Sequence, residues 1–220
     1  MHSGDFSFAD VDGIWQPEGK DPFQGHLLVV LHGRGDTAEG FDWLKSKLRI
    51  EGLSVLCVNA PDPYFTGRSW YDLPPDQLPG ILRSREFLGR LLERIAGAGF
   101  PARKCLLLGF SQGCLMTLEF GARFEAPMAG YIGISGYCYD PEQLLREASA
   151  ESQRGHWLVT HGTQDEVLDV ERTRSQIAAL KAGGLPVEYR EYPKGHTIDL
   201  REEFPLIRDW IRERVEATRG

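Results

Sequence analysis

A serine between two glycines, directly after an apolar run, most constrains how this chain can fold. The pentapeptide GFSQG occupies residues 109–113, and the run CLLL at 105–108 precedes it. Where a strand turns sharply into a helix there is no room for Cβ atoms beside the turn, so glycines flank the central residue. Leu115 and Leu118 then follow at the spacing of an apolar helix stripe. The stretch therefore predicts a strand, a nucleophile elbow at Ser111 and an amphipathic helix.

Other apolar runs predict an α/β domain. Uninterrupted apolarity is typical of strands that are buried on both faces of a parallel sheet. Such strands are expected at 26–31, 53–58, 104–110, 131–134, 157–160 and 187–192, with a weaker candidate at 11–15. Helices are expected between them at 37–50, 87–95, 141–150, 170–181 and 204–215. Right-handed crossovers then give a mostly parallel, doubly wound sheet with helices on both faces.

Length and charge narrow the class of protein further. Residues 1–220 fit a single domain, and no insertion is large enough for a lid domain. The formal charge of −7 argues against a nucleic-acid partner. The chain opens without a basic region followed by an apolar one, and the aliphatic run at 27–31 is too short to cross a bilayer. We therefore expect a cytoplasmic protein without a transmembrane segment, either a monomer or a homodimer.

The four cysteines lack the close spacing of a zinc site. Two of them, Cys57 and Cys105, lie inside apolar runs. Reduced thiols are therefore expected, with no metal site.

A serine hydroxyl needs a histidine to accept its proton and an acid to orient that histidine. Among six histidines, only His196 lies beyond Ser111 in a loop between a strand and a helix, so it is the candidate base. The other five have structural interpretations as partnered or solvated side chains. Asp165 follows the penultimate strand and is the candidate acid. Glu166 and Asp169 are rivals whose alternative role is to place negative charge at a helix N-terminus.

Catalysis by this serine also requires an oxyanion hole, in which two backbone N–H groups stabilise the tetrahedral intermediate. One donor is the N–H of Gln112, which follows the nucleophile. The other should come from the loop after the first buried strand, where Gly33 and Gly35 let the backbone approach a ligand. The N–H of Arg34 is therefore the second candidate.

The segment 62–80 is proline-rich and is expected to be an irregular loop. It contains Tyr64, Phe65, Trp70 and Tyr71, which are unsuited as a group to core positions in such a segment. We expect them to line the substrate cleft. The alternative for Trp70 is packing on the edge of the sheet, because aromatic side chains usually serve packing first.

The side chain of Arg34 bears on the acyl group. A charged head near the mouth of the cleft makes burial of a long alkyl chain costly unless the head is paired or reaches water. Asp36 and Asp72 are the candidate partners. Short esters are therefore expected to be better substrates than long ones.

Six segments together resemble the phospholipase/carboxylesterase family of α/β-hydrolases, which includes acyl-protein thioesterases and small bacterial carboxylesterases. The segments are LHGRGD at 31–36, SWYD at 69–72, GFSQG at 109–113, SGY at 135–137, HGxxD at 161–165 and GH at 195–196. The resemblance covers about residues 26 to 215. It implies a lidless hydrolase of carboxylic esters or thioesters that needs no cofactor, with Ser111, Asp165 and His196 in the matching catalytic positions.

Two residues depart from the family pattern. Arg34 stands where the family usually has an aliphatic residue, and Cys114 stands where it usually has a third glycine. The first departure bears on the preference for acyl chains.

These observations predict a serine carboxylesterase that hydrolyses esters of small to medium acyl chains through an acyl-enzyme. Its partner would be a small-molecule ester or thioester. An acyl thioesterase or a lysophospholipase would use the same triad, because all three reactions pass through one tetrahedral oxyanion. The non-enzyme alternative is a catalytically silent module that keeps the fold to bind a ligand.

Overall fold

The buried apolar runs form the centre of a seven-stranded sheet in the computed structural model, which describes residues 7–218. The strands are β1 (Gly13–Gln16), β2 (His26–Leu31), β3 (Leu53–Val58), β4 (Asp62–Tyr64), β5 (Gly67–Ser69), β6 (Cys105–Phe110), β7 (Gly130–Ile134), β8 (Trp157–Gly162) and β9 (Val187–Tyr192). The sheet order is β1-β3-β2-β6-β7-β8-β9, in which β1 is antiparallel to β3 and the other pairs are parallel. Strands β4 and β5 pair separately as an antiparallel hairpin.

Helices cover both faces of the sheet, as predicted. They are α1 (Leu44–Leu48), α2 (Gln77–Gly97), α3 (Gln112–Gly121), α4 (Pro141–Arg146), α5 (Ala150–Arg154), α6 (Val170–Ala182) and α7 (Glu203–Ala217). Alternate residues of β2 point to opposite faces, because side chains along a strand alternate. Leu27 and Val29 join the core under α2, α3 and α6, whereas Leu28 and Val30 join the core under α1 and α7. Within residues 7–218, no helix combines the length and apolarity needed to cross a bilayer.

Helix α3 differs from the amphipathic helix that the sequence predicted. All ten of its residues are buried, because it packs on β2, β6 and β7 and is covered by α2. Its polar side chains find partners inside the protein: Thr117 Oγ1 donates to the Gly113 carbonyl at 2.9 Å, and Glu119 pairs with Arg123 at 2.8 Å. Burial raises the pKa of Glu119, and the nearby Arg123 only partly opposes that shift. The elbow therefore begins a central helix rather than a surface one.

Three segments differ from the secondary structure that the sequence predicted. One predicted loop contains regular elements, and two predicted helices are each divided into two shorter ones. The segment 62–80 contains the β4–β5 hairpin and the first turn of α2, where Pro79 is tolerated because the first-turn N–H groups lack helical partners. A short 3₁₀ helix (Ala38–Phe41) and α1 replace one helix at 37–50. Likewise, α4 and α5 replace one helix at 141–150.

The fold accommodates Cys114 through two glycines that face it. A Cβ atom added to Gly133 would lie 2.6 Å from Cys114 Sγ, and one added to Gly136 would lie 2.4 Å from Cys114 Cβ. The missing side chains of β7 and of the loop after it thus provide the space that a larger residue in α3 needs. All four cysteines are free and buried, and burial raises the pKa of Cys114 to about 12.

This packing gives a stability prediction. Gly133→Ala should lower the free energy of unfolding by about 1–3 kcal/mol, because the added methyl overlaps the Cys114 sulfur. In a Cys114→Ala background, the same Gly133→Ala substitution should cost much less stability, because the sulfur that the added methyl would overlap is absent. Urea denaturation of the two single variants and the double variant measures the coupling.

Gly97→Ala at the end of α2 is the matched control, because a Cβ there meets nothing within 4 Å. It should leave stability unchanged or raise it slightly. Equal losses from Gly133→Ala with and without the cysteine would contradict the packing described.

Candidate active site

The elbow owes its shape to the two glycines around it. A Cβ on Gly109 would lie 2.0 Å from the Gly113 carbonyl oxygen, and a Cβ on Gly113 would lie 2.1 Å from the Leu31 carbonyl oxygen. Ser111 itself has φ of 55° and ψ of −114°, a conformation that non-glycine residues rarely adopt. Its N–H donates to the Ile134 carbonyl at 2.9 Å, which ties the strained turn to β7. The hydroxyl is thereby held between β6 and α3.

Three side chains from separate loops form a hydrogen-bonded chain. His196 Nε2 lies 2.9 Å from Ser111 Oγ, and His196 Nδ1 lies 2.8 Å from Asp165 Oδ2. The loops that carry them follow β6, β8 and β9, and the carboxyl ends of parallel strands meet at one edge of the sheet. The Asp165 side chain is fully buried, whereas 18 % of the His196 side chain is exposed. The structure thus brings together all three residues that the sequence singled out as the triad.

The second oxygen of Asp165 is held by the backbone. Asp165 Oδ1 accepts the N–H groups of Val167 and Leu168, each at 2.9 Å. Burial alone would raise the pKa of Asp165, but the hydrogen bonds that it accepts outweigh burial and lower the pKa below its usual range. The carboxylate therefore stays ionised in neutral and mildly acidic solution and can orient the imidazole.

His161 is a further neighbour of this carboxylate. Its Nε2 lies 3.4 Å from Asp165 Oδ2 and 3.1 Å from the Leu168 carbonyl oxygen. Burial lowers the pKa of His161, so the ring is neutral and adds no positive charge beside the acid. The backbone donors and His161 could not be identified from the sequence, because their contacts depend on the path of the loop after β8.

The rival acids have other positions. Asp169 caps α6 and accepts the N–H of Glu171 at 3.0 Å, which is the helix role considered for it. The side chain of Glu166 is exposed beside the site. His32 is buried with Nδ1 2.6 Å from the Gly33 carbonyl oxygen, and its Nε2 accepts the N–H of Ala60 at 3.0 Å. The structural interpretation of His32 therefore agrees with its contacts.

Both predicted oxyanion donors are available. Within the described part of the chain, neither the Arg34 N–H nor the Gln112 N–H has a hydrogen-bond acceptor. The loop that carries Arg34 lies against the elbow, since a Cβ on Gly33 would be 3.4 Å from Ser111 Cβ. Gln112 is also the first residue of α3, where the helix dipole favours negative charge.

The side chain of Gln112 has a role that the sequence analysis missed. Its Oε1 accepts the N–H of Trp70 at 3.0 Å and the hydroxyl of Ser69 at 3.1 Å. Its Nε2 donates to the Tyr71 carbonyl at 2.7 Å. One buried amide thus fixes the segment after β5 to the start of α3.

Two of the four aromatic residues expected to line the cleft do not do so. Trp70 and Tyr71 are 0 % and 2 % exposed and belong to the core. Trp70 Nε1 donates to the His32 carbonyl at 2.9 Å, so this side chain braces the loop after β2. The prediction that they line the cleft is wrong because the Gln112 amide turns the segment inward.

The other two aromatics lie in the β4–β5 hairpin. Phe65 is 92 % exposed, and its ring meets the edge of Tyr64. The Arg34 guanidinium lies over the Tyr64 ring, 4.2 Å from its centroid. Among residues 7–218 no carboxylate forms an ion pair with Arg34, so neither candidate partner, Asp36 nor Asp72, pairs with it.

An open cavity adjoins the base. It has a volume of about 380 Å³ and is lined by Gln164, Glu166, Val167, Gly195 and His196. Because His196 forms part of its lining, solvent reaches the imidazole from this side.

The chain is similar to known proteins along most of its length. The family model described as phospholipase/carboxylesterase matches residues 17–213. Acyl-protein thioesterase 1 of Yarrowia lipolytica is 28 % identical, over 86 % of this chain and 92 % of its own. Carboxylesterase SOBER1 of Arabidopsis thaliana is 23 % identical, over 87 % of this chain and 92 % of its own.

Solved structures share the fold. The crystal structure of esterase PE8 is 27 % identical with a TM-score of 0.79, and it covers 92 % of this chain and 98 % of its own. The crystal structure of Arabidopsis thaliana SOBER1 has the same TM-score at 23 % identity, over 86 % of this chain and 98 % of its own. The sheet is therefore that of an α/β-hydrolase. With the elbow and the family match over most of its length, the chain belongs to the phospholipase/carboxylesterase family.

Proposed function

We propose that this protein is a serine carboxylesterase that hydrolyses small-molecule carboxylic esters through an acyl-enzyme. The observation that carries the proposal is the continuous hydrogen-bonded chain from Ser111 Oγ through His196 to Asp165. A serine hydroxyl becomes a useful nucleophile at neutral pH when such a base is already in contact with it. The contact between Ser111 and His196 therefore makes the serine the nucleophile and the histidine the general base.

In the first half of the reaction, Ser111 Oγ attacks the acyl carbonyl carbon while its proton passes to His196 Nε2. The Asp165 carboxylate accepts the His196 Nδ1–H and stabilises the imidazolium that forms. Negative charge develops on the former carbonyl oxygen, where the N–H groups of Arg34 and Gln112 are free to donate. The ester C–O bond then breaks, and His196 returns its proton to the leaving alkoxide, which leaves as the alcohol.

In the second half, water takes the place of the alcohol. His196 accepts a proton from this water, whose oxygen attacks the acyl-enzyme carbonyl. The second tetrahedral oxyanion collapses, the bond to Ser111 breaks, and the proton on His196 returns to the serine oxygen. The open cavity beside His196 supports this step because it admits water to the base.

An acyl thioesterase is the second candidate, favoured by the relative from Yarrowia lipolytica that is named acyl-protein thioesterase 1. Both reactions use the same serine, base and oxyanion donors, and they differ in whether an alcohol or a thiol leaves.

A reducing compartment such as the cytoplasm suits either reaction. Four buried free cysteines support that location.

The nucleophile can be tested by removing the Ser111 oxygen. Ser111→Ala should abolish hydrolysis of 4-nitrophenyl butyrate and labelling by a fluorophosphonate, while the thermal midpoint changes little, because one partly exposed oxygen is removed. Ser175→Ala on the exposed side of α6 is the matched control and should behave as wild type. Near wild-type turnover by Ser111→Ala would refute the assignment.

The acid and base can be tested by removing the charge of the acid. The hydrogen bonds that lower the pKa of Asp165 keep it ionised in neutral and mildly acidic solution, where its Oδ2 accepts the His196 Nδ1–H and leaves Nε2 free to accept the serine proton. Asp165→Asn should lower kcat by about 10³- to 10⁴-fold.

Glu166→Gln is the control for that acid, since it removes a neighbouring carboxylate that is exposed. It should leave kcat within about twofold of wild type. The reverse ranking of these two variants would overturn the assignment.

The proposed role of Arg34 can be tested by varying the length of the acyl chain. Arg34 places an unpaired cation beside the hairpin, which disfavours burial of a long alkyl chain there. Esters from acetate to hexanoate should therefore have higher kcat/KM than palmitate, with each buried CH₂ contributing at most ~0.8 kcal/mol. Arg34→Leu should move the optimum to longer chains.

The measurement is kcat/KM for 4-nitrophenyl esters of increasing acyl length, with the wild-type protein and with Arg34→Leu. Arg49→Leu, on an exposed residue after α1, controls for loss of positive charge and should keep the wild-type optimum. An optimum at dodecanoate or longer in the wild type would exclude this role of Arg34.

A further inference from the structure

A buried lysine lies next to the acid–base pair and has no part in the mechanism above. Lys194 precedes Gly195 and His196 in the loop after β9, and only 4 % of its side chain is exposed. Lysine is almost never fully buried unless it is paired. Its partner is Glu203 at the start of α7, whose side chain is fully buried, with Nζ 2.6 Å from Glu203 Oε1.

The remaining contacts of Lys194 reach the neighbours of each catalytic residue. On the base side, Nζ donates to the Thr197 carbonyl at 2.6 Å, directly after His196. On the acid side, the Lys194 carbonyl accepts the N–H of Gln164 at 3.1 Å, directly before Asp165.

On the nucleophile side, Lys194 Nζ donates to Ser135 Oγ at 3.1 Å. Ser135 has φ of 50°, in the left-handed region, and follows Ile134, whose carbonyl accepts the N–H of Ser111. A single side chain is thus joined to the loops after β7 and β9, and its own backbone is joined to the loop after β8.

Glu203 is in turn fixed at the base of α7. Its Oε2 accepts the N–H of Asp199 at 2.9 Å. The loop from His196 to α7 is therefore closed at both ends by this ion pair. Movement of Lys194 would move Thr197 and release the segment that carries the imidazole.

A contribution to folding stability does not explain why charged residues occupy these two buried positions. Burial of two charges costs desolvation energy that their attraction only partly recovers, and apolar residues of similar size often serve as well. Burial lowers the pKa of Lys194, and the Coulomb attraction of Glu203 opposes that shift. What an apolar side chain would lack is directed hydrogen bonds to Thr197 and Ser135.

We propose that Lys194, held by Glu203, is a positioning residue that fixes His196 and Asp165 relative to Ser111. The inference rests on the proposed function. The inference goes beyond the proposed function because it assigns to the reaction a fourth side chain, which acts through the triad without touching substrate.

The test compares Lys194→Met/Glu203→Leu with wild type and with Lys181→Met, which removes an exposed lysine from α6. The double variant removes both charges together, so neither is left unpaired in the core. With 4-nitrophenyl butyrate, kcat should fall by about ten- to a hundredfold while KM stays within about twofold. Lys181→Met should match wild type in both constants.

A proton NMR spectrum gives a readout that loss of stability alone would not change. The downfield resonance of the proton between His196 Nδ1 and Asp165 should broaden or vanish in the folded double variant and remain in Lys181→Met. Circular dichroism and the thermal midpoint establish that the double variant is folded at the assay temperature. If it is not folded, Lys194→Met/Glu203→Gln replaces it; this variant removes both charges, keeps an acceptor for the Asp199 N–H and should lower kcat in the same way.

Wild-type kcat and an unchanged downfield resonance in the folded variant would overturn the role of Lys194. An inactive wild-type enzyme, by contrast, would refute the proposed ester hydrolase and not the positioning of the loops.

Discussion

The close approach of α3 to β2 and β6 is the constraint on which the rest of the site depends. It exists because residues 109 and 113 lack Cβ atoms that would otherwise lie about 2 Å from carbonyl oxygens. The approach holds Ser111 in a strained conformation directly before the first N–H of α3. It also brings the loop with Arg34 against Ser111. The proposed nucleophile and the proposed oxyanion donors therefore depend on one packing contact.

The acid and base are positioned by loops at the carboxyl edge of the sheet. Asp165 and His196 lie on loops after neighbouring strands, and each loop is held by contacts that end on the other. The Lys194 carbonyl accepts the N–H of Gln164, and the Tyr192 carbonyl accepts the N–H of Thr163. The backbone bonds that keep Asp165 ionised come from its own loop. The imidazole is thus oriented by hydrogen bonds within and between these two loops.

The sequence predicted the main strands and the three side chains that the structure joins by hydrogen bonds, because each depends on local pattern or on chain order. The oxyanion donors stay a prediction. Prediction from the sequence failed where the outcome depended on tertiary contacts. Trp70 and Tyr71 read as cleft residues in a proline-rich loop, but the Gln112 amide draws that loop inward. Helix α3 read as amphipathic, although neighbours cover every side. Lys194 carried no signal, because nothing in a lone lysine before Gly195 indicates that Glu203 will bury it.

We propose that the contact between His196 and Ser111 makes this serine the acyl acceptor. The most direct measurement mixes the wild-type protein with excess 4-nitrophenyl ester, follows nitrophenolate release within the first turnover and identifies the acylated peptide by mass spectrometry after acid quench. We expect a burst of about one nitrophenolate per chain, with the acyl mass on the peptide that contains Ser111. Acylation at another residue, or steady turnover with no acyl-enzyme trapped under conditions that slow deacylation, would contradict it.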